Sequence, residues 1–285
     1  MSRVAIVTDS SSCIPNELAL QYQIEVIPLY LAFADRSYQD GMTEDASEFY
    51  ELLRTAKVPP TTSAPSPGLY AETFHRLAKD HDAVLCVTVS RQFSAIFDAA
   101  SQGAQLARTQ DPNLDVRVLD SMAAAMSQGF IAVEAARAAH AGANIDEVLA
   151  QAEAMMPRVR LLMVIDTLAY LARSGRVPRL LVWASSPLRV KPVVRFKGGS
   201  YRPAAVVRTK RRALDKVVQL LANDAGAGAL HVCVHHTNVP DEAAELAERV
   251  RSMLQPKELF IKEFSQAMGV HAGPGMIGVA YYSEG

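Results

Sequence analysis

The sequence predicts an α/β protein of two domains: an N-terminal domain with a mostly parallel sheet flanked by helices, and a C-terminal α+β domain with a mixed sheet. Three observations carry this. The length of 285 residues suggests about two domains at roughly 150 residues each. The first half alternates short β-branched runs with helical patterns, the mark of a parallel sheet covered by helices. The second half changes to closely spaced strands and a glycine-turned hairpin. Two alanine-rich helical stretches end at Pro157, so the expected domains are 1–157 and 158–285.

The elements follow in order. Val4 to Thr8 reads as a strand, Pro15 to Tyr22 as a helix, and Glu25 to Phe33, Ala83 to Val89 and Val116 to Asp120 as further strand-like runs. Ala123 to Ala141 and Ile145 to Met156 read as helices. Beyond Pro157, Arg160 to Ile165 reads as a strand and Leu168 to Arg173 as a short helix stopped by Gly175. Val190 to Phe196 and Tyr201 to Val207 form a hairpin turned at Gly198-Gly199. A helix from Lys210 to Leu221, a strand from Ala229 to His235, a helix from Asp241 to Leu254 and strands Glu258 to Phe264 and Met276 to Tyr282 complete the chain. There is no internal repeat.

Composition excludes several classes of function. The apolar fraction of 49% and charged fraction of 21% are those of an ordinary globular protein, without a disorder signature. A formal charge of −1 argues against a nucleic-acid partner. The first residues pass directly into a strand pattern with no signal peptide, and no apolar run approaches the roughly 18 residues of a spanning helix. Cys13, Cys86 and Cys233 are odd in number and far apart, which fits reduced thiols better than a disulfide framework. A cytoplasmic protein without integral membrane association is expected.

Chemistry gathers in three short segments. Pro60-Thr61-Thr62-Ser63-Ala64-Pro65-Ser66 and Ser90-Arg91-Gln92-Phe93-Ser94 each precede a helix-like stretch, and His271-Ala272-Gly273-Pro274-Gly275 lies near the C-terminus. Hydroxyls and unpaired N–H groups at helix starts bind negative charge without a lysine. Taken alone, helix capping is the stronger reading of any one serine or threonine. Together the segments read as a site for a small anion.

The chain also resembles the DegV family, bacterial fatty-acid-binding proteins that include the fatty-acid-binding subunits of fatty acid kinase. The resemblance runs nearly end to end. It is carried by Val7-Thr8-Asp9-Ser10-Ser11-Ser12, by Ile27-Pro28-Leu29 with Asp35-Arg36-Ser37-Tyr38-Gln39-Asp40-Gly41, and by Thr62-Ser63-Ala64-Pro65-Ser66. Leu119-Asp120-Ser121, Asp166-Thr167-Leu168-Ala169-Tyr170-Leu171, Ser174-Gly175-Arg176-Val177, Lys191-Pro192-Val193-Val194 and the His271 segment continue it.

The resemblance implies one long-chain fatty acid held between the two domains, its tail in an apolar tunnel and its carboxylate bound by Thr62 and Ser94. Ser63, Ala95 and His271 would lie by the head group, and Arg176 and Arg208 would face a phosphorylated head or a kinase surface. The implied partner is a separate ATP-dependent, dihydroxyacetone-kinase-like protein that makes an acyl phosphate; the chain itself would be no enzyme and would need no cofactor or metal. This chain departs from the family pattern at three places. Ala95 stands where glycine is usual, Ala64 replaces a usual glutamine and Ala272 a usual threonine.

Other readings of the same residues are weaker. Gly273 to Gly278 matches G-x-G-x-x-G but follows no strand-to-helix turn. Cys233 and His235 share one face of a strand and His236 points away, so packing explains them better than a metal. The run from Arg208 to Arg212 reads as a solvated helix start, and Leu161, Leu162, Met163, Phe93, Ile96 and Phe97 read better as ordinary core than as tunnel wall. Asp9, Asp120 and Asp166 end strands and brace loops. A serine hydrolase using His271 lacks the G-x-S-x-G elbow, a phosphate- or polyol-phosphate-binding module stays open because the same helix starts accept phosphate, and no Walker A sequence is present.

Overall fold

Two strands buried along their whole length form the centre of the first sheet. β1 (Val4–Asp9) and β6 (Ala83–Thr88) are buried at every position, as strands covered on both faces must be. With β2 (Glu25–Ile27) and β7 (Asp115–Asp120) they form a parallel sheet in the order β2-β1-β6-β7. The computed structural model describes residues 3–33, 36–41, 46–167, 169–175 and 190–284. The chain divides into two units, Met1–Tyr30 with Ser63–Val159 and Leu31–Thr62 with Arg160–Gly285. The expected single cut at Pro157 therefore meets a division at Val159 in which residues 31–62 go with the second unit.

Helices α1 (Asn16–Gln21), α3 (Pro67–Leu77), α4 (Ile96–Gln110), α5 (Met126–His140) and α6 (Ile145–Met155) accompany the parallel sheet. The run read as one strand from Glu25 to Phe33 is broken at Pro28-Leu29. Proline has no N–H to continue a ladder, and the Leu29 N–H donates instead to Ser10 Oγ at 3.1 Å. At the end of β1 the fully buried Asp9 carboxylate accepts from Ser11, from Val89 N–H at 3.0 Å and from Gln128 Nε2 at 2.9 Å. Burial pushes this carboxyl up and the hydrogen bonds pull it back, so Asp9 serves as the brace expected of it.

The second unit is built on a mixed six-stranded sheet. Its strands are β8 (Arg160–Val164), β9 (Lys191–Lys197), β10 (Ser200–Val207), β11 (Leu230–His236), β12 (Glu258–Glu263) and β13 (Ile277–Ser283), in the order β10-β9-β8-β13-β11-β12. Only β11 and β12 pair in parallel. The β9–β10 turn uses positive φ at both Gly198 (57°) and Gly199 (75°), matching the twist of the flanking strands. Helices α8 (Lys210–Asp224) and α9 (Pro240–Leu254) press Val217, Leu221, Leu246 and Val250 onto Leu162, Val164, Val232 and Val279. Leu162 belongs to this core, whereas Leu161 and Met163 are buried on the other face of β8.

Residues 31–62 supply most of β3 (Tyr30–Phe33), all of β4 (Arg36–Gln39), helix α2 (Ala46–Thr55) and most of β5 (Thr61–Ser63). The three strands make a small sheet in the order β4-β3-β5. Two short helices, α7 (Ala169–Ser174) and α10 (Gln266–Ala272), complete the unit. The expected helix start at Leu168 lies outside the described residues. No helix among the described residues is long and apolar enough to cross a membrane.

A charged clasp fastens the end of β13. The buried His231 ring stacks on Tyr282 with centroids 4.4 Å apart, its Nδ1 lies 2.6 Å from Glu258 and its Nε2 2.9 Å from Glu284. Lys257 Nζ donates to the same Glu284 carboxylate at 2.7 Å. The Lys257 and His231 hydrogen bonds hold Glu284 well below its ordinary 4.5, at about 2. A carboxyl depressed by folding contributes stability that is present above its unfolded value and lost as pH falls through the folded one. The protection factor of the Glu284 amide, whose N–H donates to Ala229 O at 2.9 Å, is therefore expected to fall as pH drops from about 4.5 to 2, and Glu284→Gln should abolish that acid dependence.

Candidate functional site

Helix α10 carries His271 in its last turn, and the way it is seated explains why the sequence there is rich in glycine. Ser265 caps its start, accepting from Met268 N–H at 3.4 Å, and Asp40 Oδ1 accepts from Ala267 N–H at 3.0 Å. A Cβ at position 269 would stand 2.6 Å from Tyr50 Oη and 3.1 Å from the Phe49 ring, so Gly269 lets α10 lie directly on the aromatic pair of α2. The helix ends at Gly273 with φ 71° and ψ 169°, a region open essentially to glycine alone. A Cβ there would stand 2.2 Å from the Tyr170 ring.

The turn after α10 is held by one threonine at the end of β11. Thr237 Oγ1 donates to Gly273 O at 2.7 Å and accepts from Met276 N–H at 2.8 Å. Its backbone completes the clamp, with Gly275 N–H donating to Thr237 O at 2.8 Å and Thr237 N–H to Met276 O at 3.0 Å. The sequence suggests His271 on a tight turn; the structure puts it on a helix and the tight turn just behind it.

Thr62 and His271 are 209 residues apart in sequence and meet within the second unit. Thr62 Oγ1 and His271 Nε2 are 2.9 Å apart, in a half-buried setting. When Nε2 carries the hydrogen and donates to Thr62 Oγ1, the threonine O–H is left to donate to an incoming anion. Thr62 sits in strand β5, not in the loop before α3 that its motif suggests, and its neighbour Ser63 is exposed. Ser66 is the residue that caps α3, accepting from Leu69 N–H at 3.2 Å.

In the first unit, the segment from Ser90 to Ser94 leads from β6 into α4. Ser90 is buried, and its backbone N–H donates to Ala123 O at 2.9 Å. Ser94 Oγ accepts from Ile96 N–H at 3.4 Å, and its O–H has no acceptor among the described residues. Ala95 is exposed with φ −77° and ψ 7°, a conformation that alanine adopts as readily as glycine, so the departure from the family pattern strains no backbone. Asp120 Oδ1 accepts from Arg91 N–H at 3.3 Å and Met122 N–H at 3.0 Å, the bracing role expected of it.

The expected cations fall in different places. Arg208 is exposed just before Thr209, whose hydroxyl caps α8 by accepting from Arg212 N–H at 3.3 Å. Lys210 in the same run pairs with Glu242 at 2.8 Å, so part of the run is structural. Arg176 lies outside the described residues. Asp166 receives the Lys191 ammonium at 2.5 Å and packs against Gly275. His235 is buried, its ring nitrogen lies 3.0 Å from Lys262 O, and burial lowers its pKa to about 3; it packs as a neutral core ring.

Sequence reasoning passed over Thr237, Tyr170 and Asp40 as contributors to the site. Each acts on the seat of His271 and not on an anion, and no local pattern advertises such a role. Tyr170 and Asp40 both lie inside quoted motifs, and the glycine that the Tyr170 ring requires at position 273 is the one signal that could have tied that ring to His271.

Fold and site define a two-unit α/β protein with a Thr–His pair beside a glycine turn. A family model described as an uncharacterised protein of the DegV family matches residues 3–284. A DegV domain-containing protein of Streptomyces coelicolor is 35% identical over 287 aligned residues, covering all of both chains, and the DegV protein of Bacillus subtilis is 32% identical over 280, covering 98% of each. The chain belongs to the DegV family. Among solved structures, a DegV family protein from Thermus thermophilus described by its fatty acid binding aligns with TM-score 0.92 at 26% identity, covering 99% of this chain and all of that one. DegV of Bacillus subtilis, described as a fatty acid binding protein, aligns with TM-score 0.88 at 30% identity over the whole of both chains.

Replacing Gly273 tests how the turn seats His271. Gly273→Ala forces a Cβ into the Tyr170 ring and a side chain into a glycine-only conformation, adding backbone strain of ~1–3 kcal/mol to overpacking of ~1–3 kcal/mol. Urea unfolding of the variant should show a loss of several kcal/mol. Gly273→Ala combined with Tyr170→Ala should recover the overpacking part and leave the strain.

Proposed function

We propose that this protein binds one long-chain fatty acid, holds its carboxylate with the Thr62 hydroxyl backed by His271, and presents it to a separate ATP-dependent kinase that converts it to an acyl phosphate. The 2.9 Å approach of Thr62 Oγ1 to His271 Nε2 carries the reading. It gives a half-buried hydroxyl whose hydrogen can be directed at an anion, with the ring nitrogen behind it to polarise the O–H. The relatives described as fatty-acid-binding proteins support the ligand class.

A hydroxyl pair orients a carboxylate but does not by itself retain a lipid. An acyl chain of about 15 methylenes at ~0.8 kcal/mol each offers on the order of 12 kcal/mol, less several kcal/mol for association. The tail supplies affinity and the hydroxyls supply register. Ser94 belongs to this proposal as a second hydroxyl donor, on the strength of its motif and its uncommitted O–H. Arg176 and Arg208 belong to it as groups facing the kinase or the phosphorylated head.

The chemistry of transfer is a carboxylate oxygen attacking the γ-phosphorus of ATP on the partner, with ADP leaving. This chain's part is to expose the carboxylate in one orientation, through the Thr62 hydroxyl with His271 behind it.

Native mass spectrometry of the purified protein should show one fatty acid per chain, and extraction should identify it. A chain that stays empty after incubation with fatty acid would overturn the reading. Thr62→Val removes a charge-assisted bond worth ~1.5–3 kcal/mol and should weaken fatty-acid binding by about 10- to 100-fold, while Ser94→Ala should weaken it in the same direction. His271→Ala should lower acyl phosphate formation with the kinase far more than it lowers binding; equal turnover by variant and parent would remove His271 from the reaction.

A further inference from the structure

The mixed sheet of the second unit ends in β12, which among the described residues pairs on one side only, in parallel with β11. Two contacts fix which backbone groups that pairing uses. Phe264 N–H donates to His236 O at 2.9 Å, and Lys262 O lies 3.0 Å from Nδ1 of His235, also on β11. From Glu258 onward, even-numbered residues thus turn their N–H and C=O toward β11, and by backbone alternation those of Leu259 and Ile261 turn to the free edge. Such an edge is a template for another strand. Ile261 beside it is 46% exposed.

The edge reads Lys257-Glu258-Leu259-Phe260-Ile261-Lys262-Glu263, and that order is self-complementary. Antiparallel pairing of two identical strands about a two-fold axis at Phe260 sets Lys257 opposite Glu263, Glu258 opposite Lys262 and Leu259 opposite Ile261, on both sides of the axis. The same axis brings the outward backbone groups of Leu259 onto those of Ile261, so the two residues exchange N–H···O bonds. Neighbouring registers fail. An axis at Ile261 sets Lys262 against Phe260 and Leu259 against Glu263, and an axis at Lys262 or at Glu258 sets like charges opposite each other, which is destabilising.

The charged side chains already have partners within the chain. Glu258 lies 2.6 Å from His231 Nδ1, Glu263 accepts from Asn238 N–H at 2.8 Å, and Lys257 donates to Glu284 at 2.7 Å. Those contacts hold the side chains in place and leave capacity, because a carboxylate accepts at several lone pairs and an ammonium carries three donors. A lysine on an edge strand commonly repels a second strand; in this register it meets a carboxylate.

We propose that β12 is the contact face for a second copy of this chain, the two sheets joining edge to edge as an isologous dimer with its axis at Phe260. The dimer does not depend on the fatty-acid reading. One strand pair buries less than the ~1,200–2,000 Å² of a standard stable interface, so association in the micromolar range is expected.

Sedimentation velocity of the full-length protein, from micromolar to near-millimolar concentration, should show a monomer converting to a dimer. The Leu259 and Ile261 amides should exchange about tenfold more slowly at the upper end of that range. Ile261→Pro removes an N–H that faces the free edge and leaves the β11 ladder its donors, so it should abolish the dimer. Lys262→Glu sets Glu258 against a second carboxylate and should weaken association by about tenfold. Circular dichroism like the parent's identifies the variants that are folded. A parent that stays monomeric over the whole range would overturn the proposal and leave the edge to a strand of another protein. A dimer unchanged by both substitutions would also overturn it, since its axis then lies elsewhere.

Discussion

The hydrogen bond between Thr62 and His271 sets the constraint that the second unit is built to meet. A residue near position 60 has to reach one near 270, and the chain achieves this by leaving the first unit at residue 31 and returning only after Thr62. That excursion brings α2 under α10 and strand β5 beside it. Everything on the other side is arranged for close approach: glycine at 269 against the α2 aromatics, glycine at 273 against Tyr170, and Thr237 pinning the turn from the end of β11.

The bond does not hold the excursion in place. A neutral hydrogen bond contributes about 0.5–1.5 kcal/mol net, less than the ordering of even one or two residues costs. Packing does that work. Leu31, Phe49, Tyr50 and Leu53 are almost fully buried, and each such side chain contributes ~1.5–3 kcal/mol by leaving water. The hydroxyl–imidazole pair is therefore positioned by an apolar scaffold, which is the condition for it to be spent on a ligand.

Much of this was legible in the sequence, because it was written in period. The buried β1 and β6, the Gly198-Gly199 hairpin and, after residue 229, strands β11, β12 and β13 with helix α9 all lie within a residue or two of where local patterning puts them. The membership of residues 31–62 was not legible. Their affiliation depends on which distant core their apolar side chains enter, and a window of a dozen residues does not contain that information. His271 shows the same limit: the glycines behind it suggested a turn, whereas the cap at Ser265 and the close fit at Gly269 extend a helix up to it. Ala95 reads as a suspicious substitution in one dimension and is conformationally ordinary in three.

The distribution of charge around the pair has a chemical logic under the proposed reading. An arginine in contact with the carboxylate would bind it more tightly, but it would stabilise the anion and blunt the oxygen that has to attack phosphorus. The Thr62 hydroxyl, backed by His271, orients the carboxylate and leaves most of its basicity. Negative charge then grows on the phosphoryl oxygens, and stabilisation of that charge is where a fixed cation accelerates transfer without over-stabilising the starting state.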